Sequence, residues 1–233
     1  MTSAPLFATG PVLVLEAATA VGSVALLTRD HEGAPVRLIA ERTVAMGGGR
    51  ADQLTTAVQG LLGETGLAMD ALSAVACGSG PGSFTSLRIA GAFAKGLVYG
   101  LGRPLYAIPS LLLAVPAHGD DSPRAGRYVV TTDALRGEVF AQRLRVDEVG
   151  LVLAEGVAVR GTVAQVASGS EGETHVAVAV AAGVHPRAGA ARWLADWSRC
   201  GPVDLDRWEP DYGRLAEAQV QWEATHGRPL PAT

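Results

Sequence analysis

Gly78-Ser79-Gly80-Pro81-Gly82-Ser83-Phe84-Thr85-Ser86-Leu87-Arg88-Ile89 is the stretch on which the reading of this chain turns. Before it, Leu72 to Cys77 (LSAVAC) has the length and composition of a short buried strand. After it, apolar residues recur at steps of three and four as far as Leu101, which predicts a long helix from about Ser83. A strand that passes through a glycine turn into a helix leaves backbone N–H groups at a positive helix end, where an anion is welcome. It is not a Walker loop: no Gly-Lys-Ser/Thr closes it, and Lys95 stands too far along the helix. The same residues equally make a tight turn with Ser83 or Thr85 as N-cap, worth about 1 kcal/mol.

The helix itself carries more information. Phe84, Leu87, Gly91, Ala94, Val98 and Leu101 fall on one stripe. Ile89, Ala90, Phe93 and Leu97 occupy the other side, so the helix is apolar nearly all round. Ala90, Gly91, Ala92, Ala94, Gly96 and Gly100 are small, and each glycine costs up to about 1 kcal/mol of helix propensity. Such residues suit a place where another backbone comes close, either inside the chain's own domain or on a partner.

Outward from this centre, Pro11 to Glu16 and Gly22 to Leu27 read as a hairpin, with a third strand at Val36 to Val44. Gly47-Gly48-Gly49 then breaks the chain before an amphipathic helix carrying Ala51, Leu54, Val58, Leu61 and Leu62. Downstream, Pro104 to Ile108 is a strand and Pro109 to Val115 a helix behind it. His118 to Gly126 turns to Gly, Asp, Ser and Pro, a surface connection that marks a lobe boundary region. The second half opens again with strands, at Tyr128 to Thr132, Glu138 to Val146 and Gly150 to Glu155. Gly161 to Ser168 and Ala188 to Trp197 look helical, with a strand at Thr174 to Ala181 between them. The expected fold class is α/β in two lobes, 1–107 and 108–233, with the tail from about 210 packing back on the first lobe.

Composition excludes several classes. The 233 residues are 48% hydrophobic and 18% charged, which is not a disordered chain. Net charge is −4 and no Lys/Arg run occurs, so independent tight RNA binding is not expected. Cys77 and Cys200 are far apart and form no Cys-x-x-Cys pair, which suits a reducing compartment. The first residues lack the basic start of a signal peptide, and no stretch reaches the roughly 20 apolar residues of a membrane span. A cytoplasmic protein is expected.

The catalytic inventory is poor. Five histidines, at 31, 118, 175, 185 and 226, make no helical metal pair, and no Gly-x-Ser-x-Gly elbow is present. No metal site and no cofactor is expected. Glu16 and Asp133, each at a strand end followed by small residues, are carboxylates that can hold a metal–nucleotide complex or cap a turn.

In order along the chain, these segments resemble the TsaB (YeaZ) family. Gly80 to Thr85, Ser86, Leu87, Arg88 and Ile89, then Ala94-Lys95-Gly96-Leu97, are similar to its signature. The match continues through Ile108-Pro109-Ser110-Leu111 and Asp133-Ala134-Leu135-Arg136-Gly137-Glu138-Val139-Phe140 to Pro210, Tyr212, Arg214 and Ala216-Glu217-Ala218. Three positions depart from it. Leu15-Glu16-Ala17-Ala18-Thr19 stands where the family reads Ile-Asp-Thr-Ser/Ala-Thr, Arg50 replaces a histidine, and Ser86 replaces a glycine.

The resemblance implies the two-lobed, ribonuclease H-like fold of actin, Hsp70 and sugar kinases. It also implies a non-catalytic scaffold in forming N6-threonylcarbamoyladenosine at position 37 of tRNAs that read codons beginning with A. The implied partners are the catalytic subunit TsaD, the ATPase TsaE, or a second copy in a homodimer, with tRNA reached only through the complex. Carried over, the partner helices are 50–62 and 83–101, with Leu54, Val58, Leu61, Phe84, Leu87, Arg88, Gly91, Ala94, Lys95 and Val98 at the interface. Gly80, Pro81, Gly82, Ser83 and Thr85 form the signature turn, and Glu16 and Asp133 mark a vestigial nucleotide site. The competing expectations are a nucleotide-dependent phosphotransferase or ATPase of the same fold group, and a metallopeptidase. Fold alone does not decide among them.

Overall fold

The computed structural model describes residues 10–46, 52–115, 122–212 and 225–226. Arg50, His118, Arg214 and residues 216–218 lie outside them, as do residues 118–121 of the expected lobe connection. β1 (Val12–Glu16), β2 (Val21–Thr28) and β3 (Arg37–Ala45) form an antiparallel meander. α1 (Asp52–Thr65) leads to β4 (Ala74–Gly78), and α2 (Phe84–Leu101) leads to β5 (Leu105–Ile108). Because a helix intervenes each time, β4 runs parallel to β1 and β5 parallel to β4. The resulting order is β3-β2-β1-β4-β5.

Both faces of β1 are buried, which explains its unbroken apolar run. Leu13 and Leu15 point to one face, where Leu54, Val58 and Leu61 of α1 and Ala90, Ala94 and Val98 of α2 pack. Val12 and Val14 point to the other, into a core that also takes Tyr128, Val130, Phe140 and Leu144 from the second half.

The second sheet is built from β6 (Gly126–Asp133), β7 (Glu138–Val146), β8 (Val152–Ala154), β9 (Val159–Thr162) and β10 (Thr174–Ala177). Its order is β10-β6-β7-β8, with β9 also on β7. β6 has an antiparallel neighbour in β7 and a parallel one in β10, the same arrangement that β1 has with β2 and β4. The two halves therefore repeat one strand order, and the fold is the two-lobed α/β class expected from the sequence.

Several element readings need correction. Ser110–Ala114 and Ala188–Trp193 are 3₁₀ turns rather than helices. All five residues of the first are buried, so its Leu run reports packing on several sides and not a one-faced helix. Gly161 and Thr162 belong to β9, held by pairing with Val139 and Glu138, and only Val163–Ala167 is helical, as α3. β10 stops at Ala177, because a 3₁₀ turn at Val180–Ala182 closes on Gly183 in the left-handed region.

The halves are also joined by polar contacts. Ser23 Oγ accepts the Ala188 amide at 2.7 Å, and the Glu41 carboxylate accepts the Gly189 amide at 2.9 Å while pairing with Arg187. Among the described residues, no helix is long and apolar enough to cross a membrane.

Candidate functional site

The carboxyl ends of β1, β4 and β5 converge on the signature turn. There the Ser79 amide donates to Ile108 O (2.7 Å), the Gly80 amide to Ser110 Oγ (3.1 Å) and the Ser83 amide to Ala18 O (2.7 Å). The Ser110 amide returns a bond to Gly80 O at 2.9 Å. These amides are thus committed within the chain, and Ser83 caps α2 through its hydroxyl on Ser86 N. The tight turn with its Ser83 N-cap is thus present. A side chain at Gly82 would collide with the Ala18 carbonyl, and one at Gly80 with the Asp211 carbonyl. Glycine is needed at Gly80 on a second ground, a φ of +92°.

A cleft of about 380 Å³ opens beside the turn. Ala18, Thr19, Gly82 and Ser83 line it from the first lobe, and Thr132, Asp133, Leu135 and Phe140 from the second. Asp133 spends one carboxylate oxygen on the Leu135 amide (2.8 Å), in a hairpin whose Leu135 and Arg136 both have positive φ. Glu16 is 1% exposed and is not among the lining groups. The two carboxylates expected to share a site are therefore separated, one at the cleft wall and one in the core. Among the described residues no group of His, Cys, Asp and Glu gathers as a metal would need.

The expected partner residues divide. Leu54, Val58, Leu61, Leu87, Ala94 and Val98 have at most 1% exposure, and all but Leu87 join the core around Leu13 and Leu15. This corrects the sequence expectation: six of the ten face the chain's own interior and are not surface. Gly91 lies under Pro210 and Trp208. Phe84, Arg88 and Lys95 meet the same returning segment: Phe84 stacks on Tyr212 (4.6 Å between centroids), and Lys95 stands 5.8 Å from the Trp208 ring centroid. Arg88 lies over the Phe84 ring.

The outward face of α2 holds residues that the stripe analysis passed over. Thr85, Arg88, Ala92, Gly96, Tyr99 and Gly100 are exposed, and Tyr99 is 87% so. Ala92, Gly96 and Gly100 follow one another at steps of four, and a side chain on either glycine would meet nothing within 4 Å. Ser110 and Tyr212 entered the sequence reading only as members of family-like stretches, with no site role, and Trp208 did not enter it.

The family model described as TsaD, tRNA N6-adenosine threonylcarbamoyltransferase, matches residues 50–201. The TsaB proteins (tRNA threonylcarbamoyladenosine biosynthesis protein TsaB) of Haemophilus influenzae and Escherichia coli are similar to this chain. The first is 32% identical over 55% of this chain and 51% of its own length, the second 29% over 60% and 57%. The chain thus spans little more than half the length of these two curated relatives. A Pseudomonas aeruginosa crystal structure described as an uncharacterized protein with similarity to peptidase YEAZ superposes with a TM-score of 0.68. It is 27% identical, over 88% of this chain and 100% of that one. A second structure, YeaZ from the same organism, gives 0.66 at 27% identity, over 86% and 98%. The chain belongs to the TsaD family, and within it to the TsaB (YeaZ) type.

Proposed function

We propose that this chain is a non-catalytic subunit of the assembly that makes threonylcarbamoyladenosine on tRNA, and that it serves by binding a TsaD catalytic subunit. TsaE joins as a third component, and tRNA is met through the complex. The observation that carries this reading is the outward ridge of α2. Two glycines inside a helix cost about 1 kcal/mol each, and here no neighbour among the described residues needs their small size. A facing helix that approaches to the short end of the usual 8–10 Å range does need it.

The interface therefore lies one step round the helix from the stripe expected from the sequence. It takes in Ala92, Gly96, Tyr99 and Gly100, flanked by Arg88, Lys95 and the exposed face of α1 at Thr55 and Gln59. Leu54 and Val58 support that face from behind.

A nucleotide-dependent phosphotransferase is the second reading, favoured by the cleft between the lobes. Against it, the Ala17-Ala18-Thr19-Ala20 turn lacks the glycines a phosphate hairpin uses, and Asp133 is engaged in its own turn.

Reconstitution separates the two. With TsaD, TsaE, their substrates and tRNA supplied, modified adenosine should appear only when this chain is added, and the chain alone should make none. Full modification without it, or modification by it alone, contradicts the proposal.

A further inference from the structure

Glu16 is a buried carboxyl with no cation beside it among the described residues. It projects to the same face of the first sheet as Val12 and Val14, opposite Ser23 on β2 and next to Gly78 on β4. Its Oε1 accepts the Ala18 amide at 2.6 Å, and its Oε2 has no hydrogen-bond partner. A side chain on Gly78 would collide with Oε2 and come within 2.9 Å of Ser110 Oγ, so the carboxyl lies over Gly78 with the Ser110 hydroxyl close by. Its two neighbours are the groups that anchor the signature turn: Ala18 holds Ser83, and Ser110 holds Gly80.

We propose that Glu16 is a proton-operated positioning residue for the signature turn, holding the turn closed as the neutral acid and loosening it when its proton leaves to solvent. The reason is solvation. A carboxylate in a dry site needs a counter-charge or several donors, and Glu16 has one firm donor. Around it β2 presents Ser23, β4 presents Gly78 and the 3₁₀ turn presents Ser110, while the buried Cys77 thiol lies on the opposite face of the sheet. The charge of Glu16 acts on the Cys77 thiol, and burial keeps that thiol neutral. Among the described residues no Lys, Arg or His contributes.

Burial accordingly raises the Glu16 pKa to about 7, against the opposing pull of the Ala18 amide, the Ser110 hydroxyl and the Ala17 amide. A raised carboxyl is at full advantage below its unfolded value near 4.5 and loses it as pH climbs through 7. If the turn opens to water, its opening equilibrium should rise about tenfold between roughly pH 6 and pH 8.

The test is NMR on the whole chain. Carbon-13 titration of glutamate carboxyls, with Glu16→Gln identifying the signal, should give a midpoint near 7 for Glu16. Hydrogen exchange, corrected for intrinsic rates, should show the Gly80 and Ser83 amides opening more as pH rises in wild type and not in Glu16→Gln. Because the carboxyl midpoint and the amide rates are read on wild type, they stand even if the variant folds poorly. A midpoint below 5, amide opening that does not change with pH, or a change shared equally by the β6 and β7 amides would overturn the proposal.

Discussion

The amide of Asp211 donates to the carbonyl of Ser79 at 2.7 Å, so a residue near the far end of the chain closes the turn that starts α2. Behind it, Trp208 and Pro210 cover Gly91, and Tyr212 stacks on Phe84. The signature turn is thus clamped from three sides: Ala18, Ser110 and Asp211. What remains open on α2 is a narrower ridge than the sequence suggested.

Ala94→Glu places a charge in the core beside Leu15 and Leu54, where no partner exists for it. The expected loss is on the order of 3–5 kcal/mol, a large part of the 5–15 kcal/mol of a typical domain. Thermal melting should show a strongly lowered or absent transition. A normal melt contradicts the burial of Ala94.

Gly96→Ala and Gly100→Ala should each stabilise the free chain by about 0.5–1 kcal/mol, since both sit in a helix with open space around them. The same changes should weaken TsaD binding by holding the facing helix away. Urea titration and binding measurements on one sample check both signs, and a variant that gains stability with no loss of binding argues against close helix approach.

In a helix apolar on nearly every side, periodicity identifies the element but cannot choose the face, because Leu87, Ala90 and Ala94 compete with Ile89, Phe93 and Leu97. The face is decided by the first sheet, above all through Leu13 and Leu15, which lie some seventy residues before the helix. The meander, α1, β4, α2 and β7 were readable from alternation and spacing. The 3₁₀ turn carrying Ser110 was not, because its Leu run looks helical; the return of the tail from about 210 to the first lobe was expected, but not the bond from Asp211 to Ser79, which spans more than a hundred residues.

Glu41→Ala removes the acceptor for the Gly189 amide and the Arg187 guanidinium, in a side chain only 8% exposed. About 1–3 kcal/mol should be lost, read as a shift in urea midpoint. Arg37→Ala breaks an ion pair open to solvent and should leave the midpoint in place.

Neither thiol should be reactive in the folded chain. Burial raises Cys200 to about 12 and drives Cys77 higher still. A disulfide-exchange reagent at mildly alkaline pH should label neither until denaturant is added. Prompt labelling of Cys77 would show that the core around β4 opens far more readily than its packing implies.

The most direct measurement is a titration of TsaD from the same genome with the wild-type chain and with Ala92→Glu. Ala92 is exposed, so the variant should melt as wild type does, within about 0.5 kcal/mol. A charge at the centre of a close helix contact should nonetheless weaken binding on the order of a thousandfold. A folded Ala92→Glu chain that binds TsaD as tightly as wild type would contradict the account.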